Sequence, residues 1–218
     1  MALSSSNYVI QGAVRILNGH TVNAGYTVNE DMFGRFINVL DNAVDAYNRL
    51  FAFRVDLRIP AGMILTTEIE RRLIDRFVAS FKAKVRHNRS MALKLNPNAH
   101  DTEVRYSWAR EIGADGAVHY HFIFYLNRDA FNSLGSFKAA SGNLYTRLVE
   151  AWASGLGLAA GEAVGLVHVT ENAMFHLNAN STNYAVVRGH IVHNVSYLAK
   201  EETKVLGDGK HRFGSSRK

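Results

Sequence analysis

The chain has 218 residues, and its 25 Lys and Arg exceed its 19 Asp and Glu, for a formal charge of +6. Hydrophobic residues at 47% and charged residues at 20% make it one globular domain, or one with an added lobe, rather than a disordered chain. The absence of cysteine excludes disulfides, Cys-type zinc sites, iron–sulfur clusters and thiol nucleophiles.

No apolar run approaches the roughly 18 residues of a membrane span. Met1–Gln11 has neither the charged start nor the apolar stretch of a secretory signal. A cytoplasmic location is therefore expected. The basic excess favours a polyanionic partner.

Residues 1–28 are weakly periodic and contain Asn18-Gly19, so an irregular or short-hairpin extension is expected. From Asn29 to Leu50 the apolar positions Met32, Phe33, Phe36, Leu40, Ala43, Val44 and Tyr47 follow helical spacing, with Asn29 as N-cap. Phe51–Ile59 switches to period two, with Arg54, Asp56 and Arg58 opposite the apolar set. Thr66–Arg86 is again helical, capped by Thr66 or Thr67. Asn88–His100 is polar and reads as a loop, with room for a short strand at Met91–Leu95.

Val104–Ile112 and Ala117–Leu126 read as strands of one hairpin. Asn143–Leu156 is an amphipathic helix closed by Gly155 and Gly157. Val164–Thr170 and Ala173–Leu177 are two shorter strands, and Gly189–Lys204 is a final helix. The basic tail from Gly207 to Lys218 is expected to fray. This order implies an α+β fold, an antiparallel sheet with helices packed on one face. Three segments follow: an N-terminal extension with one helix (1–50), a main domain (51–206) and a flexible tail (207–218).

The hairpin register carries the first functional signal. A three-residue loop, Ala114-Asp115-Gly116 with Gly116 left-handed, pairs Gly113 with Ala117. Trp108 then meets Phe122 and Tyr106 meets Phe124, giving one aromatic face. The other face brings Glu111 opposite His119 and Ala109 opposite His121. A two-residue turn would instead set Arg110 opposite His121, mixing the faces. In the first register Glu111, His119 and His121 share one face, and two imidazoles with a carboxylate suit a divalent cation. Asp56, on the polar side of the first strand, is the next candidate ligand. With ten histidines in the chain, a His-x-His alone is a weak motif, equally read as a partly exposed polar face.

On the last helix Tyr197 precedes Lys200 by one turn, and Lys204 follows on the same face. A phenol, with a pKa of about 10, is a poor nucleophile unless cations favour the phenolate. In isolation the pair is commonplace, a boundary tyrosine with a solvated lysine.

Taken together, His119-Tyr120-His121 resembles the His–hydrophobe–His motif of the HUH endonucleases. Tyr197-Leu198-Ala199-Lys200 resembles their nucleophile helix. Trp108-Ala-Arg-Glu111, Ala151-Trp-Ala-Ser-Gly-Leu-Gly157 and Ser196-Tyr-Leu-Ala-Lys200…Arg212-Phe-Gly-Ser215 resemble more closely the inovirus gene-II-type proteins, which share a domain with the YagK/YfjJ prophage proteins. The similarity spans about residues 50–215, with the motifs in the family's order.

The resemblance implies a ferredoxin-like or RRM-like central sheet. It also implies Mg²⁺ or Mn²⁺ held by His119, His121 and Glu111, with Tyr197 as nucleophile and Lys200 as the motif lysine. Two departures stand out. Arg54-x-Asp56-x-Arg58 replaces a threonine-rich first motif, and the helix carries a single tyrosine, which rules out a two-tyrosine strand-transfer cycle there.

The expected activity is a metal-dependent, site-specific nick in single-stranded DNA at a replication origin. A 5′-phosphotyrosine link would form, the 3′-OH would prime rolling-circle replication by host replication proteins, and the strands would later be rejoined. Arg54, Arg58, Arg105 and Lys204 would contact the DNA. Three other readings compete: an inactive prophage DNA-binding regulator, an RRM-like nucleic-acid binder, and a His-x-His hydrolase unrelated to nucleic acid.

Overall fold

Asn18 and Gly19 both take positive φ (47° and 78°), the signature of a two-residue hairpin turn between β1 (Val14–Leu17) and β2 (His20–Asn23). This computed structural model describes residues 13–113, 115–138, 142–204 and 208–217. Residues 1–12 of the expected extension, Ala114 of the hairpin loop, and 205–207 and 218 around the tail lie outside them.

Helix α1 (Glu30–Ala46) starts where the Asn29 side chain accepts the Met32 N–H at 3.0 Å. Strand β3 (Arg49–Arg58) follows, then α2 (Thr67–Leu95), capped by Thr66. The stretch 88–95, expected as loop, continues α2. Met91, Ala92 and Leu93 are good helix formers, and the helix stops only at Asn96, which Pro97 biases to extended geometry.

Strands β4 (Arg105–Ile112) and β5 (Val118–Asn127) pair in the three-residue-loop register, Trp108 opposite Phe122 and Glu111 opposite His119. Helix α3 (Leu144–Leu156) is held by a reciprocal Asn143–Thr146 capping box and ends on left-handed Gly157. The two strands expected next are one strand, β6 (Val167–Asn178), whose pairing with β3 shifts at a bulge near Asn172 (φ 55°). Helix α4 (Tyr184–Leu198) and β7 (Phe213–Ser215) complete the order.

Helix α4 begins and ends earlier than the expected Gly189–Lys204. After Leu198 the chain turns away to bond with the segment before α1: Asn29 N–H donates to Ala199 O and Glu201 N–H to Thr27 O. Lys200 and Lys204 therefore sit on a loop, not on the helix face.

The antiparallel sheet runs in the order β6-β3-β5-β4-β7. On one face Phe53, Val55, Tyr120, Phe122 and Trp108 pack on α2 and α3. The other face is divided. Leu50, Ala52, Ile123 and Tyr125 are apolar and lie under α1 and α4, while Asp56, Glu111, His119 and His121 occupy the opposite end. This corrects the expectation of helices on one face only. The apolar stripe of α1 needs a partner, and the apolar end of this face supplies it.

The tail is also tied down. β7 pairs with β4, and Gly214 sits so close to Trp108 that a Cβ there would lie 2.6 Å from its indole nitrogen. Upstream, buried Glu70 accepts from Arg110 Nε (2.6 Å), Tyr120 OH (3.1 Å) and Lys210 Nζ, while Arg110 also donates to Asp208 (2.8 Å). No described helix is long and apolar enough to cross a membrane.

Candidate active site

The polar end of the second face is built around His121. In the sheet register its strand neighbours are Asp56 on β3 and Ala109 on β4, with Glu111 two residues farther along β4. The imidazole Nδ1 lies 2.6 Å from Asp56 Oδ1 and Nε2 lies 3.2 Å from Glu111 Oε2. Burial works against a charged imidazole, but the two carboxylates outweigh it and raise the His121 pKa.

Both carboxylates have further cationic partners. Glu111 receives Lys200 Nζ at 3.0 Å and Lys204 Nζ at 2.7 Å. Arg54 donates to Asp56 from Nε at 3.1 Å and from Nη2 at 3.3 Å. Burial alone would raise both acids. The hydrogen bond to His121, and then Arg54 for Asp56 and Lys204 for Glu111, instead bring Asp56 down to about 2 and place Glu111 well below the usual carboxylate range. Lys200 is raised, because Tyr197 and Glu111 overcome its burial; Lys204 is lowered, because its burial dominates. Among the described residues, Arg54, His121, Lys200 and Lys204 thus face the two carboxylates of Asp56 and Glu111, a balance that suits an anionic substrate.

Tyr197 closes the group. Helix α4 brings its ring edge-on to His121, with centroids 6.0 Å apart. The Arg54 guanidinium lies 4.5 Å from the ring centre and the Lys200 ammonium 3.9 Å. Tyr26, from the segment after β2, packs edge-to-face on the same ring and hydrogen-bonds Ser196 at 3.1 Å.

The structure therefore joins Glu111, His121, Tyr197 and Lys200. His119 lies on the same face, across from Glu111 and Arg58, and its ring has no ion pair or hydrogen bond among the described residues. Three residues expected to track DNA are placed differently. Arg54 is buried beneath Tyr197, and Lys204 is buried against Glu111. Arg105 is largely buried at the far end of the sheet, near Tyr47 and Glu103. In each case a nearby carboxylate or aromatic ring draws the side chain inward. Arg58 alone of the four is exposed.

Arg54 and Tyr26 are the partners of Tyr197 that sequence reasoning missed. The period-two placement of Arg54 with Asp56 was visible, but not that β3 would lie beside β5.

Among the described residues no three His, Asp or Glu side chains are arranged as a metal-binding group. The donor types nevertheless fit a hard divalent cation. Asp56 engages Nδ1 of His121 and leaves Nε2 directed at Glu111, the usual support of a metal-binding histidine. Lys200 and Lys204 now hold the oxygens that such an ion would need.

The chain matches the YagK/YfjJ C-terminal domain model over residues 15–216. It is 29% identical over 191 residues to the uncharacterized protein YfjJ of Escherichia coli strain K12, covering 84% of this chain and 92% of YfjJ. It is 32% identical over 176 residues to the uncharacterized protein YagK of the same strain, covering 78% of this chain and 84% of YagK. No solved structure matches it. A match across nearly all of the described sheet and helices, hairpin included, makes the chain a member of the YagK/YfjJ C-terminal domain family.

Proposed function

We propose that this protein is a tyrosine-dependent endonuclease of the HUH type, which nicks single-stranded DNA to start rolling-circle replication. The observation that carries the reading is the placement of Tyr197 against His121, with Arg54 and Lys200 over its ring. The β-α-β-β-α-β run from β3 to β6, with strands in the order β6-β3-β5-β4, supports a ferredoxin-like sheet beneath that site.

In this reading the Tyr197 phenol oxygen attacks a phosphodiester phosphorus in line. The new O–P bond forms as the P–O3′ bond breaks, leaving a 5′-phosphotyrosine and a 3′-hydroxyl. The phenol loses its proton to water and the 3′ oxygen gains one. Lys200 and Arg54 stabilise charge on the phosphate and the phenol oxygen. Asp56 orients His121, and His119, His121 and Glu111 are the residues that would hold Mg²⁺ or Mn²⁺. When bound, the ion supplies Lewis-acid stabilisation of the phosphate. Reversal of the attack rejoins the strand.

Incubation with labelled circular single-stranded DNA and Mn²⁺ tests the reading. A protein–DNA adduct that survives SDS is expected; binding without any adduct or nick contradicts it. That second outcome is a DNA-binding regulator, and the engagement of Glu111 by two lysines is the observation that favours it. An RRM-like binder presents stacking aromatics on the open face, whereas the uncovered end here carries Asp56, Glu111, His119 and His121.

A further inference from the structure

Three arginines line a second place, remote from Tyr197. Arg89 on α2, Arg128 just after β5 and Arg147 on α3 line a pocket of about 270 Å³ beside the first residues of α3. Arg128 is seven residues beyond His121 along β5, or about 24 Å at ~3.4 Å per residue.

None of the three forms an ion pair with a carboxylate among the described residues. Arg89 donates to neutral acceptors, Asn88 Oδ1 at 2.6 Å and His100 O at 3.3 Å, and lies 4.4 Å over the Phe131 ring. The nearby acids are engaged elsewhere: Asp129 with Arg49 at 2.7 Å and Glu150 with Lys84 at 2.7 Å. Asp101 acts on Arg89 only at longer range. Burial, and then the charge of Arg147, hold the Arg89 pKa below its ordinary value.

Asp129 also lines the pocket, but its carboxylate is ion-paired with Arg49, and three like charges gathered in a half-buried pocket are costly unless a further anion joins them. Guanidinium forks match phosphate oxygens in pairs. The positive end of the α3 dipole adds to the field at the same pocket.

We propose that Arg89, Arg128 and Arg147 form a phosphate-binding subsite, filled by the backbone of a nucleic-acid strand that extends from the candidate active site. The choice of a nucleic-acid strand rests on the proposed function; the phosphate chemistry rests on the pocket itself. A strand stacked at ~3.4 Å per nucleotide covers that distance in about seven nucleotides beyond the nick.

The test compares the full chain with its Arg128→Gln/Arg147→Gln and Arg128→Lys/Arg147→Lys variants. Arg89 is left intact because it packs on Phe131. First, melting is followed in sodium phosphate and in sodium chloride of equal ionic strength. Phosphate is expected to stabilise the wild type beyond chloride, and the Gln pair to lose at least half of that increment. The Lys pair, which keeps the charge, is expected to retain more of it. Equal increments in the wild type and the Gln pair overturn the subsite.

Second, binding is measured for strands extending 4 or 16 nucleotides beyond the nick position. The longer flank is expected to bind the wild type at least tenfold more tightly, and the Gln pair to lose that gain. If the phosphate increment falls but the flank gain persists, the nucleic-acid source is overturned and a free phosphorylated ligand takes its place. Tyr197→Phe is expected to leave both measurements unchanged, so failure of the nicking reading is seen separately, in the adduct assay.

Discussion

The guanidinium of Arg54 lies 4.5 Å from the centre of the Tyr197 ring while its Nε and Nη2 hold Asp56. One side chain from β3 thus links the carboxylate that orients His121 to the candidate nucleophile on α4. Arg54→Gln is expected to slow adduct formation at least tenfold, about 1.4 kcal/mol in the barrier. Arg54→Lys is not expected to restore the rate, because an ammonium lacks the planar fork that spans both partners. Single-turnover cleavage measures this, with DNA affinity recorded alongside. A wild-type rate in Arg54→Gln would remove Arg54 from the positioning of Tyr197.

Lys204 and a divalent cation compete for Glu111 in this account. Its ammonium lies 2.7 Å from Glu111 Oε1 with almost no solvent contact. Glu111→Gln is expected to weaken Mn²⁺ binding at least tenfold, about 1.4 kcal/mol. Lys204→Met is expected to tighten it, because a like charge has gone. Calorimetric titration of Mn²⁺ into each protein decides. Unchanged affinity in Glu111→Gln would leave Asp56 and the histidines as the remaining donors.

The two faces of β5 should separate stability from chemistry. Tyr120 is buried between α2, α3 and Glu70, so Tyr120→Ala is expected to cost about 3–5 kcal/mol. Tyr120→Phe loses only the hydrogen bond to Glu70, about 1 kcal/mol. His119→Ala is expected to abolish metal-dependent cleavage while changing stability by less than about 0.5 kcal/mol. Urea unfolding of the three variants, beside a cleavage assay, checks the assignment.

Period-two alternation and the Gly116 loop made the β4–β5 register legible, and with it the shared face of Glu111, His119 and His121. Capping chemistry made the starts of α1 and α2 legible at Asn29 and at Thr66 or Thr67, and amphipathic spacing placed the start of α3 within one residue. The second helical layer was not legible, because Ile123 and Tyr125 alternate with core residues in the same way as His119 and His121 do. Only the tertiary partner of α1 distinguishes the two ends of that face. Lys200 and Lys204 were placed on helix α4 because their spacing is helical. The pairing of residues 199–201 with 27–29 overrides that spacing and turns both ammoniums onto Glu111. Long-range strand order, which puts Asp56 beside His121, has no local signature.

The Glu70 network should give stability a defined pH dependence. Burial alone would raise the Glu70 pKa, but its hydrogen bonds to Lys210 and Arg110 lower it below the ordinary 4.5. A depressed folded value means that the contribution is complete above the unfolded pKa and is lost as pH falls through the folded one. Glu70→Gln is expected to cost about 3 kcal/mol at pH 7, since it leaves Arg110 buried with a weaker partner. The gap between variant and wild type should narrow below about pH 4.5. Denaturant unfolding across pH 3–7 measures it, and a gap independent of pH would show that the charge of Glu70 is not what holds the tail.

The residue that becomes covalently linked to DNA identifies the nucleophile most directly, and Tyr197 is the proposed one. The wild-type protein is incubated with single-stranded DNA and Mn²⁺, digested with protease and nuclease, and the nucleotide-bearing peptide is sequenced by mass spectrometry. The account predicts a 5′-phosphonucleotide on Tyr197, no adduct from Tyr197→Phe, and DNA affinity of that variant within about threefold of wild type, or about 0.7 kcal/mol. An adduct of undiminished yield from Tyr197→Phe, or a nucleotide on another residue such as Tyr184 or Tyr26, would contradict it.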